Sequence, residues 1–324
     1  MKLRPLDPSR ATTRKLATLS RKVARNQFAK PLSAGAAVAD FLDALPDVLA
    51  ARDLRELARR VAAAHRSRRM VLLQMGAHPI KVGLGPIICD LIRDGIITGF
   101  AGNGATMIHD FELAYAGRTS EDVGAGLTDG SFGMAEETGA ILNEFAKIAM
   151  DEGRGYGEIV GREILKRHFK FCDSSIFATA YDKGVPATIH VALGSDIVHM
   201  HPAADGAAIG AATMADFHRL AATVGELSRG VVINLGSAVL MPEVFMKALN
   251  LARNLGRTVE AFTAADMDFL RQYRPRMNVV ERPTQGGGRG LMLTGHHELM
   301  FPLLVAAIRE ELARPPSRVR KKLG

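Results

Sequence analysis

The sequence predicts an α/β protein with a Rossmann-like, mostly parallel sheet of about six strands and helices on both faces. The first observation is that short apolar runs alternate with segments of helical apolar spacing from Met70 to Leu312. The second is that small or polar residues follow most of these runs, as is typical where a strand ends in a turn. Because alternating strands and helices form βαβ units, successive strands are expected to be parallel.

The predicted elements follow one another through the body of the chain. Strands are predicted for Met70–Met75, Ile96–Phe100, Ala187–Leu193, Gly230–Leu235, Thr258–Thr263 and Leu291–Thr294. Helices are predicted for Ser33–Leu49, Leu54–Arg68, Pro86–Gly95, Met107–Tyr115, Met134–Asp151, Tyr156–His168, Ser174–Lys183, Met214–Gly225, Pro242–Leu255 and Glu298–Leu312. Two Gly-rich stretches, Ser120–Gly133 and Pro283–Gly290, are expected to be loops.

The two ends of the chain differ from its body. Residues 1–66 are predicted to form a basic arm and a helical extension, residues 67–315 the α/β domain, and residues 316–324 a basic tail. No linker or internal repeat interrupts the body. Basic tails bind nucleic acid or membranes, or are simply solvated. Because few aromatic residues accompany these charges and the chain has no tryptophan, nucleic-acid binding is not expected.

The composition is that of a protein with a full hydrophobic core. The chain has 324 residues, of which 47% are apolar, and a formal net charge of +8. Its cysteines, Cys89 and Cys172, lie far apart in sequence, which favours reduced thiols in a cytoplasmic protein. Residues 1–20 lack the apolar core of a secretory signal, and no run approaches the roughly 18 apolar residues of a membrane span.

Small or polar residues at the expected strand ends should meet at one edge of the sheet, where ligands bind in open parallel sheets. These ends are Gly76-Ala77-His78, Asn103-Gly104-Ala105, Gly194-Ser195-Asp196, Gly236-Ser237 and Thr263-Ala264. The segment from Gly102 to Ala105 also begins a helix, where backbone N–H groups favour phosphate. Because Met107 stands where the dinucleotide fingerprint has its third glycine, a tight turn explains these glycines equally well.

From Val71 to about Ala306 the chain resembles the deoxyhypusine synthase family. The closing Phe-Pro-Leu-Leu-Val segment of that family is present unchanged at Phe301–Val305. Other family segments are matched, in the same order, by Ala77-His78 with Gly83, Asn103-Gly104-Ala105 with His109-Asp110, Ala192–Asp196, Gly236–Ala238 and Phe262–Asp268. The resemblance implies the α/β fold of that family.

The resemblance also implies an NAD-dependent enzyme that acts on a polyamine. Members of the family bind NAD at the subunit interfaces of a homotetramer, oxidise spermidine and carry its aminobutyl group on a lysine as an imine. They then transfer the group to a lysine of a translation initiation factor. The positions that the resemblance assigns to NAD are Ala77, His78, Asn103, Gly104, Ala105, Asp110, Ser195, Gly236, Ser237, Thr263 and Ala264.

The chain differs from the family at the positions that carry out the family's reaction. Between Phe262 and Phe301, where the imine-forming lysine belongs, the chain has arginines and no lysine. A guanidinium stays protonated and cannot form an imine. The histidine pair that helps to hold the polyamine falls near Pro242-Glu243, and the aspartate before the last helix falls on His296. Transfer of an aminobutyl group is therefore not expected.

Several histidines are instead expected near the edge of the sheet where the strand ends meet. The candidate catalytic residues are Asp196, His199, His201, His109 and His296, with His297 and Glu298 beside the last of them. In an extended segment His199 and His201 would lie on one side, a spacing that suits acid–base chemistry, an anionic substrate or a metal. Because no cysteine or His-Glu-x-x-His motif is near, a metal is not favoured. His190, inside a strand, is expected to be structural.

These observations leave three hypotheses of function. The first is a deoxyhypusine synthase-like enzyme that uses NAD on an amine without a lysine imine. The alternatives are a metal-dependent or acid–base enzyme that has lost NAD, and a non-catalytic dinucleotide-binding protein. Acidic residues at Glu121-Asp122 and from Asp129 to Glu137 suit a cationic amine, or else form a solvated loop and a helix cap. The expected partners are a small amine and further copies of the chain in a homotetramer.

Overall fold

A sheet of six parallel strands organises the protein, which a computed structural model describes over residues 3–315. The strands are β1 (Val71–Met75), β2 (Gly99–Asn103), β3 (Ala187–His190), β4 (Val231–Leu235), β5 (Thr263–Asp268) and β6 (Arg289–Thr294). Their order across the sheet is β3-β2-β1-β4-β5-β6, and every neighbouring pair is parallel. The predicted α/β class and parallel sheet are confirmed.

Helices cover both faces of this sheet. They are α1 (Val38–Ala44), α2 (Leu49–Arg66), α3 (His78–Lys81), α4 (Gly85–Arg93), α5 (Gly104–Ala116), α6 (Val123–Asp129), α7 (Glu136–Glu152), α8 (Tyr156–Lys166), α9 (Ile176–Asp182), α10 (Gly206–Gly225), α11 (Leu240–Asn254), α12 (Tyr273–Pro275) and α13 (His297–Ala313). Because successive strand residues point to opposite faces, Ile233 joins the core of α2, α5 and α13, whereas Val232 joins that of α10 and α11.

The N-terminal helices share the larger core. Leu42 of α1 and Leu57 of α2 are buried in the same cluster as Leu73 of β1, and α2 lies alongside α13. Residues 3–37 contain short 3-10 turns and are exposed, apart from the half-buried Gln27. The boundaries at residues 66 and 315 stay predictions, and the basic tail at 316–324 lies outside the described residues. Among residues 3–315, no helix combines the length and apolar character needed to cross a bilayer.

Some predicted element bounds are wrong. The strand expected at Thr258–Thr263 instead begins at Thr263. Val259 and Phe262 lie in the segment before the strand, and their apolar side chains are buried in the same core as residues of α11. The strand expected at Ile96–Phe100 likewise begins later, at Gly99. The long loop expected at Ser120–Gly133 contains α6, which the Asp122 carboxylate caps by accepting the N–H of Ala125.

The strand order reverses between β1 and β4, which places the topological switch point of the sheet there. His78 follows β1 and Gly236 follows β4. The carboxyl ends of β2 and β3 lie on one side of this point, and those of β5 and β6 lie on the other. Side chains for a site can therefore come from both halves of the sheet.

Candidate functional site

A cavity of about 140 Å³ lies beside α5 at the carboxyl edge of the sheet. It is lined by Lys81, Ala105, Ile108, His109, Glu112, Ser120, Glu121, Val123, Phe132, Ser195, Asp196 and Ile197. Of the predicted site residues, the structure thus brings Ala105, His109, Ser195 and Asp196 together. The loop predicted before α7 closes one side of the cavity, through residues on either side of α6 and in its first turn.

The Asp196 carboxylate is the most unusual group of this cavity. Its side chain is only 8% exposed, and Oδ2 accepts no hydrogen bond from residues 3–315. Oδ2 lies against the first residue of α5, where a Cβ added to Gly104 would stand 2.0 Å from it. The positive end of a helix favours an anion. Glycine at position 104 thus makes room for the chain's own carboxylate, which lies close to this helix end without accepting a hydrogen bond at Oδ2.

His199 faces the same carboxylate across a gap. Its Nδ1 accepts the backbone N–H groups of Gly194 and Asp196, each at 3.2 Å, so the proton of the neutral ring resides on Nε2. Nε2 lies 4.0 Å from Asp196 Oδ2, beyond hydrogen-bond length. Burial lowers the pKa of His199 and raises the pKa of Asp196 to about 6. The pair therefore combines a neutral imidazole with a carboxyl group that titrates near neutral pH.

Further carboxylates give the cavity an acidic wall. Glu112 accepts hydrogen bonds from Thr119 and from Thr138, and its carboxylate lies 3.6 Å from Nδ1 of His109. Burial alone would raise the pKa of Glu112, but His109 and the hydroxyl groups hold it below its usual value. Glu121 accepts the backbone N–H of Gly133. Glu112 therefore remains ionised, whereas the only cation among the lining side chains in the described part of the chain, apart from histidine, is Lys81.

A second polar group lies at the switch point. His78 Nδ1 lies 2.8 Å from Nδ1 of His297, and Nε2 of His297 lies 3.5 Å from Oδ1 of Asp268. The His297 ring rests on the turn after β4, where a Cβ added to Gly236 would stand 2.5 Å from its Cε1. A Cβ added to Gly76 would stand 2.5 Å from the Gly236 carbonyl oxygen. The loops after β1 and β4 thus contact each other and the imidazole.

The packing of these side chains determines whether a phosphate can bind at the two glycine turns. At the start of α5 the Asp196 carboxylate lies against Gly104, where its negative charge would repel a phosphate, and the Asn103 side chain accepts the N–H of Thr106. At the switch point, His297 covers Gly236. In this conformation the residues do not fit a dinucleotide phosphate at either of these two turns.

Other predicted site residues lie elsewhere. Asp110 is 2% exposed and accepts hydrogen bonds at the start of α9, away from the cavity surface. Thr263 and Ala264 lie at the amino end of β5, opposite the site, because that strand begins at Thr263. Ser237 is buried, and its hydroxyl accepts the N–H of Met241. His296 is exposed and stacks on Phe269.

The segment around His199 is not extended. Ile197–His199 forms a 3-10 turn, so His199 and His201 have different neighbours. The His201 ring packs against Gly139 of α7, where an added Cβ would stand 2.2 Å from its Cδ2. His190 is buried and contacts the Thr188 hydroxyl, as a structural histidine does. Within residues 3–315 no group of three or more His, Cys, Asp or Glu side chains is placed to hold a metal.

The sequence interpretation missed Lys81, Glu112 and Asp268. Lys81 follows His78 on α3 and Glu112 follows His109 on α5, both at a spacing of three residues that places them on one helix face. Asp268 ends β5, whose bounds were misplaced by five residues. The i, i+3 spacing from a candidate histidine was the signal that could have identified the first two.

Comparison with known proteins shows the fold alone. No family model and no curated protein matches the sequence. A ternary complex of AgrE with ornithine and NAD⁺ is similar in structure, with 15% identity and a TM-score of 0.53 over 81% of this chain and 34% of that one. ArgZ, an arginine dihydrolase of the ornithine–ammonia cycle in cyanobacteria, has 15% identity and a TM-score of 0.50 over 81% and 32%. A putative deoxyhypusine synthase from Entamoeba histolytica has 12% identity and a TM-score of 0.49 over 84% and 93%. The chain spans about a third of the length of AgrE and ArgZ.

Proposed function

We propose that this protein is an acid–base enzyme that binds a small aliphatic amine in the cavity beside α5. The observation that carries the proposal is the buried Asp196 carboxylate, which lines an acidic cavity and has no hydrogen-bond partner for Oδ2 in residues 3–315. A buried charge without a partner is costly, so a ligand that supplies an N–H donor is favoured there.

The rest of the cavity suits the methylene chain of such an amine. Ile108, Val123, Phe132 and Ile197 contribute apolar surface, and the ionised Glu112 contributes a second negative charge. An alkyl chain between two carboxylates matches a diamine or polyamine, whose amino groups are cationic at neutral pH. This charge pattern disfavours anionic substrates.

Asp196 and His199 supply the chemistry of the proposal. The carboxylate binds the ammonium group and takes one of its protons, so that the ammonium N–H bond breaks and a carboxylic acid O–H bond forms. The neutral His199 ring keeps its proton on Nε2 and donates a hydrogen bond to the nitrogen of the resulting amine. Burial places the pKa of Asp196 at about 6, so it changes protonation close to neutral pH. The two residues can therefore move a proton without a lysine imine.

We expect putrescine and spermidine to bind the wild-type protein in calorimetric titration at pH 7.5, and Asp196→Asn to weaken both. The expected loss is about 10-fold to 100-fold, since a hydrogen bond to a charged group contributes about 1.5–3 kcal/mol. Binding by the wild type should strengthen as the pH rises through about 6, because the Asp196 carboxyl group loses its proton there.

Asp182→Asn is the matched control, because that side chain is 59% exposed and pairs only with Lys183 in the described part of the chain. It should bind both amines as the wild type does, and butanol, which has no positive charge, should not bind. Equal amine affinities for Asp196→Asn and the wild type would contradict the proposal.

NAD-dependent oxidation of the same amine is the second candidate. It is favoured by the strand order with its switch point and by the structural similarity to AgrE, whose ternary complex contains NAD⁺. No step of the acid–base proposal uses NAD, because neither glycine turn has room for its phosphates. Titration with NAD⁺ distinguishes the candidates: a saturable heat at millimolar cofactor or below would establish the second. The homotetramer implied by the family resemblance stays a prediction.

A further inference from the structure

Three side chains from distant parts of the sequence form a line at the switch point. His78 begins α3 and is half-buried, whereas His297 begins α13 and is 1% exposed. Asp268 ends β5 with a side chain that is 7% exposed. The 2.8 Å contact joins the two Nδ1 atoms. The 3.5 Å approach of His297 Nε2 to the carboxylate is electrostatic, because that nitrogen has no hydrogen-bond partner in residues 3–315 and Asp268 Oδ1 accepts the backbone N–H of Phe269. The line thus runs from a buried acid to a partly exposed imidazole.

The carboxylate determines which ring nitrogens carry protons. If Nε2 of His297 lacked a proton, its lone pair would face the Oδ1 atom of Asp268, which is repulsive. A neutral His297 ring therefore carries its proton on Nε2, and its Nδ1 can only accept. The contact between the Nδ1 atoms then requires that His78 donate from Nδ1. In the neutral ring this leaves the lone pair of His78 on Nε2, which has no hydrogen-bond partner in residues 3–315.

We infer that His78 is a general base, held in its reactive tautomer by His297 and Asp268, and that it takes a proton from a hydroxyl or amine group of a substrate. In this step the O–H or N–H bond of the substrate breaks and a new N–H bond forms at Nε2 of His78. The positive charge is stabilised through the His78–His297 hydrogen bond toward the Asp268 carboxylate. His297 and Asp268 are positioning residues, as the acid is in a triad of this kind.

The surroundings of His78 keep it neutral and accessible. Burial is the main cause that lowers the pKa of His78, and the neighbouring His297 lowers it further. Lys81 acts in the same direction, whereas Glu298 and Asp268 oppose it. The Phe269 ring, 5.5 Å from that of His78, screens one side from water. This centre is separate from the Asp196 carboxylate, although α3 carries both His78 and the cavity residue Lys81.

Nitrogen-15 NMR of histidine-labelled protein at pH 7.5 tests the assignment without any ligand. In the wild type we expect the proton on Nδ1 of His78 and on Nε2 of His297. Asp268→Leu should shift both rings toward the opposite tautomers, because it removes the carboxylate oxygen that faces Nε2 of His297. The wild-type spectrum alone is decisive if that variant does not fold: a proton on Nε2 of His78 would overturn the inference.

Carbethoxylation with diethyl pyrocarbonate measures the reactivity of the same lone pair. The adduct at His78, followed by peptide mass spectrometry, should form several-fold more slowly in Asp268→Leu, because fewer His78 rings then have their lone pair on Nε2. The exposed His168 and His218 serve as internal references. Asp182→Asn is the control, because that side chain is 59% exposed and pairs with Lys183. Equal His78 rates in the wild type and Asp268→Leu would contradict the inference even if the amine proposal holds.

Discussion

Asp110→Ala is expected to lower the free energy of unfolding by about 3 kcal/mol or more. The Asp110 carboxylate accepts the Ser175 hydroxyl at 2.5 Å and the backbone N–H of Ile176 at 2.7 Å, with a longer bond at 3.4 Å from that of Phe177. The backbone groups belong to the first turn of α9, where no intrahelical partner exists. Each buried donor left without an acceptor costs about 1–3 kcal/mol. Chemical denaturation followed by circular dichroism gives the measurement.

The control for this prediction is Asp151→Ala, on the exposed face of α7. A surface substitution of this kind should change stability by no more than about 0.5 kcal/mol. If Asp110→Ala were as stable as the wild type, the carboxylate would not be the cap that its contacts indicate.

Asp216→Asn is expected to abolish a strong pH dependence of stability. Asp216 is fully buried, and its Oδ2 accepts the N–H groups of Gly157 and Ile189, each at 2.8 Å. Burial raises the pKa of this carboxyl group from 3.8 to about 7. Between these values the folded chain keeps a proton that the unfolded chain has released. The free energy of unfolding must therefore fall as pH rises, by about 1.4 kcal/mol per pH unit.

The amide of the variant matches the protonated acid in shape and cannot ionise. Relative to Asp216→Asn, the wild type should lose about 2–3 kcal/mol between pH 5 and 7 and then show no further relative change above pH 7. Denaturation curves at pH 5, 6, 7 and 8 measure the difference. Asp182→Asn, at an exposed position, should parallel the wild type throughout. Parallel curves for Asp216→Asn and the wild type would mean that Asp216 is ionised in the folded protein over this range.

The misplaced bounds of β5 show that the local pattern of apolar residues does not always locate a strand. The predicted strand ended at Thr263 because the apolar run ends there, yet β5 continues to Asp268. Its polar residues are tolerated inside the sheet because Asn234 of β4 donates to Asp266 and itself accepts from Gln74 of β1. A ladder of this kind satisfies buried polar groups across strands. Sequence spacing along a single strand contains no sign of it.

The sequence predicted only part of the candidate site, because some of its residues meet only through helix packing. Ala105, His109, Ser195 and Asp196 lie at one cavity because parallel strands end at the same edge of the sheet. The pairing of His78 with His297 joins residues 219 positions apart. Whether two such side chains meet depends on how α3 and α13 pack, and the sequence pattern of each helix contains no information on its partner.

The sequence by itself determined the α/β class, the parallel sheet and several of the polar residues at its carboxyl edge, among them Asp196 and His109. These follow from periodicity and from the geometry of βαβ units, which are local properties of the chain. Only the tertiary structure decided that Asp110 caps α9, that Asp196 occupies the start of α5, and that His78, His297 and Asp268 form one line. The role of each polar group depends on burial and on partners distant in sequence, and both are determined when the helices pack on the sheet.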